Sequence, residues 1–186
     1  MSSGPGPSRI DEVLAFWFEE LTPDDWFGGG DEVDDRIRER FLGLHEALRD
    51  EVPESWRTTA RGMLAAVIAL DQFPRNMYRG SREAFAADPA ALALAEEAIA
   101  RGLDRAMPND ERKFFYLPFE HSEDPAVQAR SVELFASLQN EETLGYALRH
   151  KEIIDRFGRF PHRNEVLGRE STPEEIEFLT EPDSSF

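Results

Sequence analysis

The chain has 186 residues, long enough for one domain with a core of its own. Its 38 Asp and Glu outnumber 21 Lys and Arg, giving a formal net charge of -17; this argues against duplex nucleic acid, which is bound by neutralising phosphates, and against an anionic membrane surface. Cysteine is absent, so disulfides, thiolate metal sites and cysteine nucleophiles are excluded.

The opening residues, MSSGPGPS, lack the basic-then-apolar pattern of a signal peptide. The longest apolar run, residues 63–70, is far too short to span a bilayer. A soluble, cytoplasmic protein is the expectation. Strand signals are missing, and helical spacing recurs along nearly the whole chain.

The spacing predicts a first helix over residues 8–20, with Ser8 or Asp11 as cap and Val13, Leu14, Trp17 and Phe18 on its apolar face. Pro23 and Gly28-Gly29-Gly30 then break the chain. A second helix carries Val33, Ile37, Phe41, Leu44 and Leu48 on one stripe. A third starts at Pro53, where a missing N–H does no harm, carries Trp56, Ala60, Met63, Leu64, Val67 and Ile68, and is ended by Pro74.

Asp88-Pro89 opens a fourth helix, with Leu92, Ala95, Ile99 and Leu103 inward. Asn109 caps a short fifth over residues 110–117, stopped by Pro118. Asp124-Pro125 opens a sixth, with Val127, Ser131, Leu134, Phe135 and Leu138 on one side. Asn140 caps a seventh, which ends at Gly158. Ser171-Thr172-Pro173-Glu174-Glu175 starts a last short helix, combining a capping hydroxyl, an early proline and acids at the positive helix end.

The expected class is therefore all-α, with short connections favouring antiparallel hairpins stacked as an irregular array. One domain over residues 8–181 is expected, with flexible ends at 1–7 and 182–186.

Polar residues on apolar stripes mark where chemistry could reside. Asp71 falls three residues after Ile68, four after Val67 and seven after Leu64, on the buried stripe of the third helix. A carboxylate there needs a cation or several donors. Arg75, Arg79 and Arg163 are candidates, and a purely structural Asp–Arg pair is an equal alternative. His150 shares a helical face with Tyr146, Ile153 and Phe157. It reads as either a hydrogen-bonded core residue or a ligand contact. In Glu120-His121-Ser122-Glu123, His121 beside carboxylates could act as general acid or base with Glu123, or Ser122 and Glu123 could serve the start of the sixth helix.

Two phrases nearly repeat: Phe73-Pro74-Arg75-Asn76 and Phe160-Pro161-His162-Arg163-Asn164. Each sits in a basic island, the first with Arg79 and Arg82, the second with Arg159. Arginine presents a planar fork suited to carboxylate or phosphate, and it also caps the carbonyls that end helices. If both phrases met in space, their forks would make an anion pocket. No HExxH, phosphate-loop, dinucleotide or GxSxG pattern occurs. No cofactor and no metal is expected; His121, His150, His162 and a carboxylate are the residues that a metal would have to gather in space.

These phrases together resemble the bacterial DUF924 family. The resemblance begins at Val13-Leu14-Ala15-Phe16-Trp17-Phe18 and runs through Leu70-Asp71-Gln72-Phe73-Pro74-Arg75-Asn76, Arg79-Gly80, Ala84-Phe85-Ala86 and Phe119-Glu120-His121-Ser122-Glu123. It closes with Phe157-Gly158-Arg159-Phe160-Pro161-His162-Arg163-Asn164, Leu167-Gly168-Arg169 and residues 171–175. It implies an all-helical fold similar to tetratricopeptide-like proteins, and it implies no settled activity. Asp71, Arg75, His121 and the second phrase fall in the matching stretches, and His150 lies between two of them.

Three functional expectations follow. The first is a binding module for an anionic small molecule or peptide carboxylate, with Asp71, Arg75, Arg79, His150, Arg159, His162, Arg163 and Asn164 contacting it. The second is an enzyme acting on an anionic small molecule through His121 and Glu123. The third is that the Arg/Asp motifs are purely structural. No nucleic acid and no membrane is expected as a partner, and the oligomeric state is left open.

Overall fold

The structure, a computed structural model, describes residues 6–28 and 30–186; Gly29, and residues 1–5 of the amino-terminal stretch expected to be flexible, lie outside it. The protein is all-α, with no strand among the described residues. Within the span read as one domain, the chain gathers into two compact units. One joins the described residues up to Arg79 with Glu83–Pro118, and the other joins Gly80–Arg82 with Phe119–Phe186.

The first unit begins with α1 (Pro7–Ala15), which runs on into a π-helical turn, Phe16–Glu20. Next comes α2 (Pro23–Gly28), a helix where the sequence suggested only a break. Its Trp26 indole donates to the Trp17 carbonyl at 2.8 Å, which ties this short element down. Helix α3 (Asp31–Asp50) buries Val33, Ile37, Phe41, Leu44 and Leu48, the stripe read from spacing.

The expected third helix is three. Helix α4 (Glu54–Arg57) is followed by α5 (Ala60–Asp71), capped by the Thr59 hydroxyl, and then by α6 (Phe73–Met77). Pro74 therefore helps to open a helix instead of ending one. It stands in the first turn of α6, where its missing N–H would have no partner anyway. The unit's core is α5 itself: residues 63–70 are fully buried, against α1, α3, α4 and the later α7 (Asp88–Ala100). A helix apolar on all sides must be enclosed on all sides.

Helix α7 packs through Ala91, Leu94, Ala95 and Ala98, while Leu92 and Ile99, expected inward, are only half-buried. Helix α7 packs on α5, and three of the four residues it buries are alanines. Helix α8 (Asn109–Glu120) continues past Pro118, which was expected to stop it. Proline removes one intrahelical bond, and the division between the two units falls at that residue.

In the second unit α9 (Pro125–Ala136) packs on α10 (Glu141–Phe157). The Asp124 carboxylate caps α9 and Asn140 caps α10, while Gly158 ends α10 at φ 71°, a left-handed angle that suits glycine. Tyr146 of α10, expected inward, is 54% exposed. Ile153, Ile154, Phe160 and Phe178 form a small core. Two short helices follow, α11 (Asn164–Leu167) and α12 (Pro173–Phe178). The start of α12 is a capping box: the Glu175 N–H donates to the Thr172 hydroxyl, and the Thr172 N–H donates to the Glu175 carboxylate at 2.8 Å. Arg159 forks onto the same carboxylate at 2.7 and 2.8 Å. Chiefly through that Arg159 hydrogen bond, and against the opposing effect of burial, the Glu175 carboxyl is pulled down from 4.5 to about 2.

Two outcomes follow from these packings. A Cβ on Gly62 of α5 would stand 2.2 Å from the Trp56 carbonyl oxygen, which is backbone and cannot turn aside. Gly62→Ala is expected to lower stability by about 1–3 kcal/mol, read from urea unfolding. Glu175 binds its proton more weakly folded than unfolded, so its contribution is present above about pH 4.5 and fades as pH falls toward about 2. Glu175→Gln should therefore be less stable than the parent at pH 7, and circular dichroism should show that gap closing on acidification through this window.

Candidate functional site

The first phrase lies in the first unit and forms two clasps. Asp71, the last residue of α5, is fully buried; Gln72 donates to its carboxylate at 2.7 Å and Arg75 Nη1 lies 3.5 Å from it. The Arg75 fork closes on Asp88 at 2.8 and 3.0 Å, at the head of α7, and also donates to the Asp71 carbonyl at 2.6 Å. Burial alone would lower the guanidinium's affinity for its proton, but Asp71 and Asp88 outweigh it and raise that affinity. Arg79 forks onto Asp34 of α3 at 2.7 and 2.8 Å, and Asn76 adds a bond of 2.8 Å. Burial would raise the Asp34 carboxyl, and the Arg79 and Asn76 bonds pull it below its ordinary value instead.

The second phrase lies in the second unit, where Glu123 grips it. One Glu123 oxygen accepts the Phe160 N–H at 2.8 Å. Arg169 forks onto the same carboxylate at 2.8 and 3.0 Å and donates to the Phe160 carbonyl at 3.0 Å. Burial pushes the Glu123 carboxyl up, and Arg169 with the Phe160 amide pulls it net below its usual value. Asn164 accepts from Arg169 at 2.9 Å and donates to Ser171 at 3.1 Å and to Glu175 at 3.2 Å. Arg159 is closed on Glu175, as described.

Around the Phe160 ring stands a nest of imidazoles. His150 lies edge-on to Phe160 with ring centroids 5.6 Å apart, and His162 lies 5.7 Å from the same ring. His121 is 6.4 Å from His150. The Arg163 guanidinium, 7% exposed, sits 4.6 Å above Phe160, a cation on an aromatic face. Phe186 stacks on His150 at 3.9 Å and meets His162 edge-on at 5.8 Å. Residues 182–186, expected to be loose, thus include a ring with two defined contacts.

His150 Nδ1 donates to the Tyr146 carbonyl, one turn back, at 2.8 Å, which leaves the ring's lone pair on Nε2. The buried Glu120 carboxylate lies farther from the same nitrogen, at 3.4 Å. Burial pushes His150 down from 6.5 to about 3; the Tyr146 carbonyl opposes this, and His121, Arg163 and His162 add to it. The imidazole is neutral at neutral pH. Among the described residues no three His, Asp or Glu side chains are placed to hold a metal ion.

His121, His150, His162 and Arg163 share one nest, whereas Asp71, Arg75 and Arg79 belong to the first unit. Glu123, paired in expectation with His121, is held by Arg169 and the Phe160 amide. Sequence reasoning missed Arg169 and Phe186. Arg169 stood within a family-like stretch, while no pattern pointed to Phe186.

Residues 13–183 match the model of a family described as bacterial protein of unknown function, DUF924. A solved structure from Agrobacterium tumefaciens, titled a protein of unknown function, is similar at 43% identity and a TM-score of 0.88, covering 93% of this chain and 97% of that chain. No protein of curated function matches the chain. With the family's motifs present in order and its model matched over nearly the full length, the chain belongs to the DUF924 family.

Proposed function

We propose that the chain binds an anionic small molecule or a peptide carboxylate, and that the imidazole nest of the second unit is the site. The observation that carries this reading is the gathering of three of the four histidines and a buried arginine, with His150, His162 and Arg163 against the Phe160 ring and His121 beside His150. His121, His162 and Arg163 carry the N–H donors a carboxylate seeks, His150, whose N–H goes to Tyr146, adds a ring face, and aromatic walls exclude the water that would compete. Arg75, Arg79 and Arg159 each fork onto an internal carboxylate, and opening such a pair would strand a buried charge. Their role in the proposal is to hold the loops in place, which joins the structural expectation to the binding one. A cytoplasmic setting belongs to the same proposal and is supported by the absence of cysteine.

A second reading rests on His150. Burial keeps its imidazole neutral and only weakly basic, so it would orient a bound group by accepting a hydrogen bond on Nε2, beside His121. With an anionic substrate bound next to that pair, His121 would be the general acid or base, and the protein would be an enzyme.

Citrate is a suitable probe for the binding reading. At about ten times its Kd it should raise the melting temperature by roughly 3 °C. The gain should shrink with added salt and vanish in Arg163→Gln. No anion protection, with a melting temperature that still drops sharply in Arg163→Gln, would leave Arg163 a structural residue alone. The state of His150 has its own check. Its ring proton resonances should not titrate between pH 8 and pH 5, since its proton is taken up only near about 3.

A further inference from the structure

Phe186 is the outermost layer of the nest. Its ring lies nearly parallel to His150, 28° between planes and 3.9 Å between centroids, yet it is 48% exposed. One face is on the imidazole and much of the remainder faces water. His150 beneath is 4% exposed, and the Phe186 ring shields it directly. Lifting that ring away would bare a flat, ring-sized face on a neutral imidazole, flanked by His162.

The attachment of Phe186 is slight. Asp183 holds a left-handed backbone angle, φ 58°, which turns the chain at this point. The Ser184 hydroxyl donates to the Leu179 carbonyl at 3.3 Å, a long bond. Beyond Ser184 the ring contacts with His150 and His162 are the described attachment of Phe186. Phe186 also lies past residues 13–183, the stretch that matches the family. The receptor is thus made by family residues and the ring that fills it stands outside them.

We propose that the nest takes an aromatic carboxylate, and that Phe186 is an internal stand-in for its ring, displaced when the ligand binds. The ligand's ring would stack on His150, and its carboxylate would take donors from His162 and Arg163. Phe186 then acts as a competitor tethered at high local concentration, so it sets a threshold for occupancy. This rests on the anion site proposed above and adds the class of molecule that fills it.

Benzoate and acetate, titrated calorimetrically into the full chain and into Phe186→Ala, test it. Benzoate should bind the variant about three- to tenfold more tightly than the parent, the scale of one aromatic stack. Acetate, lacking a ring, should bind both proteins alike. Equal benzoate affinity for parent and variant would overturn the role of Phe186 while leaving an anion site intact. An equal gain for acetate would overturn the aromatic subsite. If benzoate binds neither protein but citrate still protects the parent from heat, the aromatic class falls and the anion site stands. If no anion binds either protein, both proposals fall together.

Discussion

His150, His162 and Arg163 all rest against the Phe160 ring, and the Phe160 backbone is held at its N–H and its carbonyl by a single ion pair. Glu123 accepts its N–H, and Arg169, forked onto Glu123, donates to its carbonyl. One carboxylate and one guanidinium therefore satisfy the backbone of a segment that has left its helix and has no ladder of its own. Buried peptide groups without such partners are rare because each is costly. Phe160 is fully buried, so a loosened clasp would move the ring on which Arg163 rests and against which His150 and His162 pack.

The two near-identical phrases solve different problems with the same letters. In the first, Arg75 and Arg79 each find an acid on a neighbouring helix, Asp88 or Asp34, and become ties between elements. In the second, Arg163 lies on an aromatic face, and Arg169, beyond the phrase as Arg79 is beyond the first, ties the backbone to Glu123. A short motif sets local backbone and residue type; what its side chains do depends on partners far away in the chain.

That distinction explains what could be read beforehand. The enclosed run of residues 63–70, the α3 stripe, buried Asp71, inward His150 and the Thr172 start signal are all local patterns, and all are seen in the fold. Pro74 and Pro118 were misread because a proline in a first turn loses nothing and one in a later turn loses a single bond that packing can outweigh. The α7 face was misread because alanine gives little periodic contrast. The Glu123–Arg169 and Glu123–Phe160 contacts span 46 and 37 residues, and Phe186 meets His150 from 36 positions away by residue number. No periodicity encodes such pairings.

All three tryptophans, Trp17, Trp26 and Trp56, belong to the first unit. Indole emission therefore originates in that unit. The second unit has no tryptophan of its own to report directly on displacement of the Phe186 ring or collapse of the imidazole cluster. A single smooth optical transition in this protein would not establish that both halves melt as one cooperative body.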